Sequence, residues 1–432
     1  IPLLKQWYQR RVHGDPRFPR RQIRAAASDS LIPAVFSQIF HNSFTCNCMA
    51  VRLLESEVSD LCLGKPPLSS ISVAATVADA LSALKSSGDT YVAVWNCDHS
   101  AAGDDGACHC IGRVCMVDVL CFLCAGDNLS SPSEALKSPV SALLPTAPNL
   151  VILVDPYSSL LDAIDLMVQG AQHLVVPIQR SGSRRKPPAM AAHRGREFCW
   201  VTQEDIIRSL LGCIGLFSPL HPLSVDALGI VRTDFLAVDY RAPASTAFAL
   251  IASSFARQAP VAVVEGDDGA LVGEISPFAL ACCDETVACA VATLSTSDLM
   301  AYINCGGPPE DVVRAVRRRL RERGFGELLE SFSAAVPPAV GGAGSSSSDE
   351  EGPWPAARMG RVAGGRGARM SRGSEAIVCQ PGSSLVGVMA RAIAYRVNYV
   401  WVVEEDGGVG GIVTFSDILS VFRQHLAAHF FC

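Results

Sequence analysis

The sequence predicts an α/β (α+β) fold assembled from four copies of one strand–helix–strand–strand–helix unit. The first observation is the stretch Gly411–Leu419, in which a short apolar strand leads into a helix that begins at Thr414. The second is that this pattern recurs three more times along the 432 residues. The third is that each copy follows an apolar strand, which is itself preceded by an amphipathic helical segment. Repetition at such a period indicates one duplicated supersecondary unit.

The four copies differ in how completely they keep a hydroxyl at the helix start and an acid three residues later. The full pattern occurs at Thr202/Asp205 and at Thr414/Asp417, whereas the other two copies keep one group each. The copies are Gly112–Val119, Val201–Ile207, Gly273–Leu280 and Gly411–Leu419; the strands before them are Tyr91–Trp95, Leu174–Ile178, Val261–Val264 and Tyr399–Val403; the helices before those strands are Val77–Lys85, Leu160–Val168, Thr246–Phe255 and Leu385–Ala394.

A hydroxyl and an acid with this spacing have two interpretations. In the structural one they cap the helix, because the hydroxyl accepts from a first-turn N–H and the carboxylate faces the positive end of the helix dipole. In the functional one they bind a ligand. Free N–H groups at a helix start suit a phosphate, a Thr hydroxyl helps to hold it, and a carboxylate accepts two hydrogen bonds from a ribose diol.

Residues 1–48 begin at Ile and are rich in Arg and poor in acids. This composition is typical of an organelle transit peptide, but we favour the alternative that the native protein begins at Met49 and that 1–48 is a non-native extension. The first repeat, residues 50–136, then opens its first helix with a capping box at Thr76. Zinc is a candidate for its hairpin loop, although the spacing of the ligand-type residues matches no standard zinc site. Those residues are Cys97, His99, Cys108, His109 and Cys110.

The second repeat, residues 137–215, carries a basic insertion between its last two strands, Gln179–Glu197. The insertion is interpreted as a solvated loop, with contact to the distal phosphates of a ligand as the alternative. The third repeat, residues 224–283, keeps the hydroxyl of Ser276 but has Ala279 where an acid would stand. This repeat is therefore expected either to have a purely structural role or to supply only half of a ligand-binding motif.

A long segment separates the third repeat from the fourth. Residues 284–333 are predicted to form a helical insert, in which Glu310–Phe332 has an apolar stripe opposite several arginines. Such a helix covers a core or, alternatively, binds a membrane surface or a partner. Residues 334–373 are rich in Gly, Ser, Pro and Arg and are predicted to be a disordered linker. The fourth repeat, residues 374–425, has the complete motif.

Composition excludes several classes of function. No apolar run reaches the roughly 18 residues of a membrane span, and a net charge of −6 gives no reason to expect nucleic-acid binding. The 17 cysteines are scattered through apolar segments, which favours a reducing compartment. Motifs typical of serine hydrolases, phosphate-loop enzymes and zinc proteases are missing, so we expect no catalytic residues and a non-enzymatic protein.

The repeated unit, ending in Gly-h-h-Thr-x-x-Asp-h-h with h apolar, resembles the CBS (cystathionine β-synthase) domain. Together with the segment from Met49 to Pro66, the four copies resemble the longer plant CBS-domain-only proteins of the CBSX type. The resemblance implies two pseudo-twofold pairs, or Bateman modules, each with clefts for an adenosine-type ligand such as AMP, ADP, ATP or S-adenosylmethionine. It carries full ribose–phosphate motifs onto Thr202/Asp205 and Thr414/Asp417, and partial ones onto Asp118 and Ser276.

The resemblance further implies a regulator that senses adenine nucleotides and modulates a partner such as a kinase or a redox protein. Two alternatives are an adaptor similar to the γ subunit of an SNF1-related kinase, and a scaffold without any small ligand. The expected location is cytoplasmic, or an organelle if residues 1–48 are a transit peptide. The expected assembly is a monomeric disk or a homodimer.

Overall fold

The computed structural model of the protein describes residues 55–97, 108–145, 150–178, 196–217, 220, 222–253, 260–266, 269–337 and 373–430. The extension 1–48, most of the basic insertion 179–197 and most of the linker 334–373 lie outside the described residues.

Each repeat contributes one three-stranded sheet, in which the first strand pairs parallel with the second and the second pairs antiparallel with the third. Four such sheets confirm the predicted fourfold repetition of a mixed α/β unit. The strands are β1 Ser69–Ser72, β2 Tyr91–Asn96 and β3 His109–Cys115; β4 Val151–Leu153, β5 His173–Ile178 and β6 Glu197–Thr202; β7 Leu236–Asp239, β8 Val261–Glu265 and β9 Ala270–Ile275; β10 Val378–Cys379, β11 Tyr399–Val403 and β12 Val409–Thr414.

Two helices accompany each sheet. A crossover helix joins the first strand to the second, as parallel pairing requires, and a motif helix follows the third strand directly. The helices are α1 Val77–Ser87, α2 Met116–Leu123, α3 Pro132–Leu136, α4 Leu160–Val168, α5 Gln203–Gly212, α6 Ala244–Ser253, α7 Pro277–Leu280, α8 Glu285–Val291, α9 Thr296–Cys305, α10 Glu310–Arg323, α11 Gly326–Ala335, α12 Leu385–Tyr395 and α13 Phe415–Phe430.

Local sequence explains where these helices start and stop. Thr76 caps α1 by accepting from the N–H of Asp79, and Gly88 ends the helix with a left-handed φ of 67°. The predicted continuous helix Glu310–Phe332 is instead two helices. Gly324 adopts a φ of 71° and closes α10, so the chain turns before α11 begins.

Two large cores cross the boundary between the pairs of repeats. In one, the helices of repeat one pack with those of repeat three and with the helical insert. In the other, the helices of repeat two pack with those of repeat four. A smaller cluster, centred on Trp95 and Phe198, joins the sheets of repeats one and two. The three clusters together connect all four repeats.

Candidate functional site

The motif of repeat two forms a complete cap at the end of β6. The backbone N–H and the hydroxyl of Thr202 donate to Oδ2 of Asp205 over 2.7 and 2.9 Å. The N–H of Asp205 donates back to the Thr202 hydroxyl over 3.4 Å. Both bonds to the carboxylate use the same oxygen, Oδ2. Among the described residues no donor reaches Oδ1 of Asp205, so this oxygen is available to a ligand.

The motif of repeat four has the same geometry at the end of β12. The N–H and hydroxyl of Thr414 donate to Oδ2 of Asp417 over 2.9 and 2.6 Å. Oδ1 of Asp417 lies 4.0 Å from the guanidinium of Arg232. Gly411 makes this approach possible, because a Cβ there would lie 2.6 Å from the carbonyl oxygen of Arg232. The segment of Arg232 can therefore exchange backbone hydrogen bonds with Ile412.

The full motif of repeat two and the threonine of repeat four line one cavity of about 880 Å³, which has residues of all four repeats in its walls. Thr202, Asp205 and Thr414 are among them; Asp417 is not, but its neighbours Arg232 and Ser416 are. Aromatic rings from several strands also line it, together with Met167 and Phe278. These rings are Tyr91, His173, Trp200, Phe235 and Tyr399. An apolar wall with a few convergent polar groups is the usual composition of a small-molecule site.

Two polar atoms on these walls are buried without a partner among the described residues. They are Nε1 of Trp200 and Oδ1 of Asn398. Buried polar groups are nearly always hydrogen-bonded in folded proteins. Because both atoms are inaccessible even to a water-sized probe, a bond from either of them to a ligand would require the wall to rearrange.

The partial motif of repeat one is closed by a side chain of its own strand. Asp118 is 4% exposed, and its Oδ2 accepts from the N–H of Cys115 and lies 3.8 Å from Arg113. Arg113 is itself buried, covers the ring of Tyr91 and donates to Nδ1 of His173 over 3.1 Å. Burial raises the pKa of Asp118, although the Arg113 charge acts in the opposite direction. Asp118 does not line the cavity.

The partial motif of repeat three is closed in a related way. Ser276 is fully buried and only caps α7, by accepting from the N–H of Ala279 over 3.1 Å. Two residues earlier, the buried carboxylate of Glu274 accepts from the Tyr399 hydroxyl over 2.8 Å and from the Trp401 indole over 2.6 Å. Ser276, like Asp118, is absent from the cavity walls.

Arg113 and Glu274 occupy equivalent positions, each two residues before the hydroxyl position of the motif, which is Cys115 in repeat one and Ser276 in repeat three. Their partners His173 and Tyr399 are equivalent as well, because each is paired across its hairpin with the motif Thr of an even-numbered repeat. In each odd-numbered repeat a buried charged residue thus bonds to a wall residue of the even-numbered site. Sequence reasoning missed both; the available signal was a charged residue inside each apolar strand.

The wall residue His173 is neutral. Burial, with a further contribution from the charges of Arg113 and Lys65, lowers the pKa of His173 well below its usual range. Since Arg113 donates to Nδ1, the proton of the neutral ring is assigned to Nε2. The ring contacts Tyr91 and Trp200 edge-on. The ring therefore forms part of an aromatic wall beside Thr202.

Lys65 is a further wall residue that the sequence analysis did not identify. Its ammonium lies 2.5 Å from Oδ2 of Asp205 and donates to the Trp200 carbonyl over 2.7 Å. Lys65 and Arg232 each precede the first strand of their pair by four residues, since β1 begins at Ser69 and β7 at Leu236. This shared spacing could have pointed to them.

Other candidate sites are weaker or fall outside the described residues. No group of three metal-ligating side chains is found in the described part of the chain, and His99 of the cysteine-rich hairpin lies outside it. The basic insertion leaves β5 and rejoins β6 at the Ile178–Glu197 pair, the end of the hairpin opposite His173 and Thr202. No helix within the described ranges is long and apolar enough to cross a membrane.

Comparison with known proteins gives consistent results. A sequence model of the CBS domain matches residues 370–424. CBS domain-containing protein CBSX5 of Arabidopsis thaliana is 47% identical over 395 residues, which cover 88% of this chain and 99% of that protein. A second Arabidopsis thaliana relative, the SNF1-related protein kinase regulatory subunit gamma-like PV42b, is 21% identical over 401 residues, covering 87% of this chain and 96% of that protein.

Among solved structures, protein MJ1225 of Methanocaldococcus jannaschii, described as a candidate archaeal homolog of g-AMPK, matches with a TM-score of 0.49 and 14% identity. The match covers 85% of this chain and 99% of that one. With near-complete coverage of a relative at 47% identity, this chain belongs to the family of CBS-domain-containing proteins.

Proposed function

We propose that this chain is a non-enzymatic regulator that binds adenosine-type ligands in the central cavity and passes their binding on to a partner protein. The single observation that carries the proposal is the cavity shared by Thr202/Asp205 and Thr414. There one carboxylate oxygen of Asp205 has no donor among the described residues. That oxygen can accept a hydrogen bond from a ribose hydroxyl, and the N–H groups at the start of α5 can donate to a phosphate.

Ligand binding in the cavity can change how the helices of repeats two and four pack. The motif helices α5 and α13 begin at the two sites, and they pack against each other as well as against α4 and α12. Arg423 of α13 also pairs with Asp165 of α4. A ligand that binds one arrangement of these helices better than another shifts their equilibrium, and a protein bound to the outer surface senses that shift.

The competing interpretation is a scaffold without a ligand, in which every Thr/Asp pair is only a helix cap. Thr76 and Asp79 make the same cap in repeat one, over 2.9 and 2.8 Å, but do not line the cavity. Ser295 and Asp298 form another such cap at the start of α9. These pairs provide matched controls, because replacing their acids removes the same kind of cap elsewhere.

The test is calorimetry on the full chain with AMP, ADP, ATP and S-adenosylmethionine. We expect one or more of them to bind, and the double variant Asp205→Ala, Asp417→Ala to weaken that binding about tenfold or more. The control double variant Asp79→Ala, Asp298→Ala should bind as the unaltered chain does. Equal affinity in both double variants, or no binding of any ligand, would contradict the proposal.

A second candidate function is an adaptor of an SNF1-related kinase, because a gamma-like regulatory subunit is among the relatives. Co-purification of the chain with the catalytic subunit of such a kinase supports it. Ligand binding without any kinase association argues for a regulator of another partner.

A further inference from the structure

The cations Lys65 and Arg232 occupy equivalent positions in the two pairs but differ in how their charge is balanced. Each lines the cavity and lies against the acid of a full motif. Arg232 donates to both carboxylate oxygens of Asp234, over 2.8 and 2.5 Å. The position equivalent to Asp234, two residues after Lys65, is Pro67. Lys65 therefore lacks the local acid that neutralises Arg232.

The ammonium of Lys65 retains donor capacity. It carries three protons and has two acceptors, Asp205 and the Trp200 carbonyl. No third acceptor reaches it among the residues that the structure describes. The side chain is 24% exposed, and this exposure lies at a cavity wall. One N–H of Lys65 is thus available to a ligand beside the start of α5.

Two further acids on the walls are already engaged. Glu204 is paired with Arg208 over 2.6 Å, and Asp89 accepts from the Ser69 hydroxyl over 2.5 Å. The charge of Lys65 is therefore balanced by the motif acid Asp205 alone, whereas Arg232 faces both Asp234 and Asp417. A charged hydrogen bond from an ammonium to a phosphate is stronger than a neutral one.

We propose that Lys65 binds the phosphate of the ligand at the Asp205 site and makes this site select phosphorylated adenosine compounds over adenosine and over S-adenosylmethionine. Arg232, already neutralised by Asp234, does not impose this selection at the Asp417 site. The inference rests on the proposed function, because it assigns the ligand class of the same cavity. It also predicts that the two sites differ although their motifs are identical.

The experiment compares AMP, adenosine and S-adenosylmethionine by calorimetry on the full chain and on Lys65→Met. In the unaltered chain we expect AMP to bind about tenfold or more tightly than adenosine. In Lys65→Met the affinity for AMP should fall by a similar factor, while that for adenosine stays nearly the same. Lys65→Arg keeps the charge and should restore the preference.

Two variants serve as controls. Lys85→Met removes a lysine whose ammonium also lies 2.5 Å from a carboxylate, that of Glu285, but away from the cavity walls. It should leave both affinities unchanged. Arg232→Met removes the equivalent cation and should change the ratio of AMP to adenosine affinity much less than Lys65→Met does.

The remaining outcomes overturn the inference. An AMP preference that survives in Lys65→Met, an unaltered chain that binds AMP and adenosine equally, or tighter binding of S-adenosylmethionine than of AMP would each refute it while leaving the proposed function in place. No binding of any of these ligands, nor of ADP or ATP, would refute both.

Discussion

Asp118 and Asp205 stand at equivalent positions of a repeated motif, yet their surroundings give them different roles. Asp118 is buried beside a buried Arg113, whereas Asp205 is 21% exposed at a cavity wall with one oxygen uncommitted. The motif could be read from the sequence, because it depends on local spacing. Which copies remain accessible to a ligand could not be read from the sequence. That depends on the side chain two residues before the hydroxyl position and on what this side chain contacts in the neighbouring repeat.

The same limit explains why Lys65 was missed. Lys65 is 140 residues from Asp205 along the chain (205 − 65), and only the fold brings them together. A lone lysine before a strand has no periodicity or motif of its own. Its significance follows from the duplication, which places Arg232 in the corresponding position of the second pair.

His173 allows a prediction of how stability depends on pH. The pKa of His173 is well below its usual value in the folded chain, and close to about 6.5 when the chain is unfolded. Below that pH the unfolded state binds a proton that the folded state does not. Above about pH 7 the titration of His173 therefore has no effect on stability. As the pH decreases below that value, the free energy of unfolding falls by up to about 1.4 kcal/mol per pH unit.

The measurement is the free energy of unfolding in urea between about pH 7 and pH 5 for the unaltered chain and for His173→Gln. The pH slope should be shallower in the variant, even if the replacement lowers stability at every pH. Parallel slopes would show that the folded chain protonates His173 in the normal way.

At the scale of elements, the helical insert is part of the core. Val316, Leu320 and Phe332 are fully buried within the core that joins repeats one and three. The apolar stripe of α10 could be read from the sequence, as could its arginine-rich outer face. The break at Gly324 was missed, because an amphipathic pattern on both sides of one glycine does not show where the chain turns.

Leu320→Ala tests this role of the insert. Removing a fully buried leucine side chain leaves a cavity and should lower the free energy of unfolding by about 2–5 kcal/mol. Arg321→Ala, at the next and exposed position, should change it by less than about 0.5 kcal/mol. Similar small effects in both variants, measured by urea unfolding, would mean that the insert is not integral to the core.

At the scale of the whole molecule, the helices of repeat one pack with those of repeat three, and the helices of repeat two with those of repeat four. The sequence predicted four units and their internal order. It did not predict these partners, because the apolar faces of the crossover and motif helices are alike in every repeat. A stripe of apolar residues shows which face is buried, not which helix covers it.

This arrangement brings Thr202, Asp205 and Thr414 to one cavity and encloses the partial motifs in buried networks. We therefore expect an adenosine ligand to bind in this cavity at the even-numbered repeats, whereas Arg113 and Glu274 stay buried beside the partial motifs of the odd-numbered repeats. Affinities alone do not distinguish one cleft from another.

The most direct test is a crystal structure of the full chain grown with saturating AMP. We expect electron density for AMP in the central cavity, with a ribose hydroxyl within hydrogen-bond distance of Oδ1 of Asp205 and with Arg113 and Glu274 unmoved. A cavity that stays empty, or a nucleotide that displaces Arg113 or Glu274 from their buried positions, would contradict it.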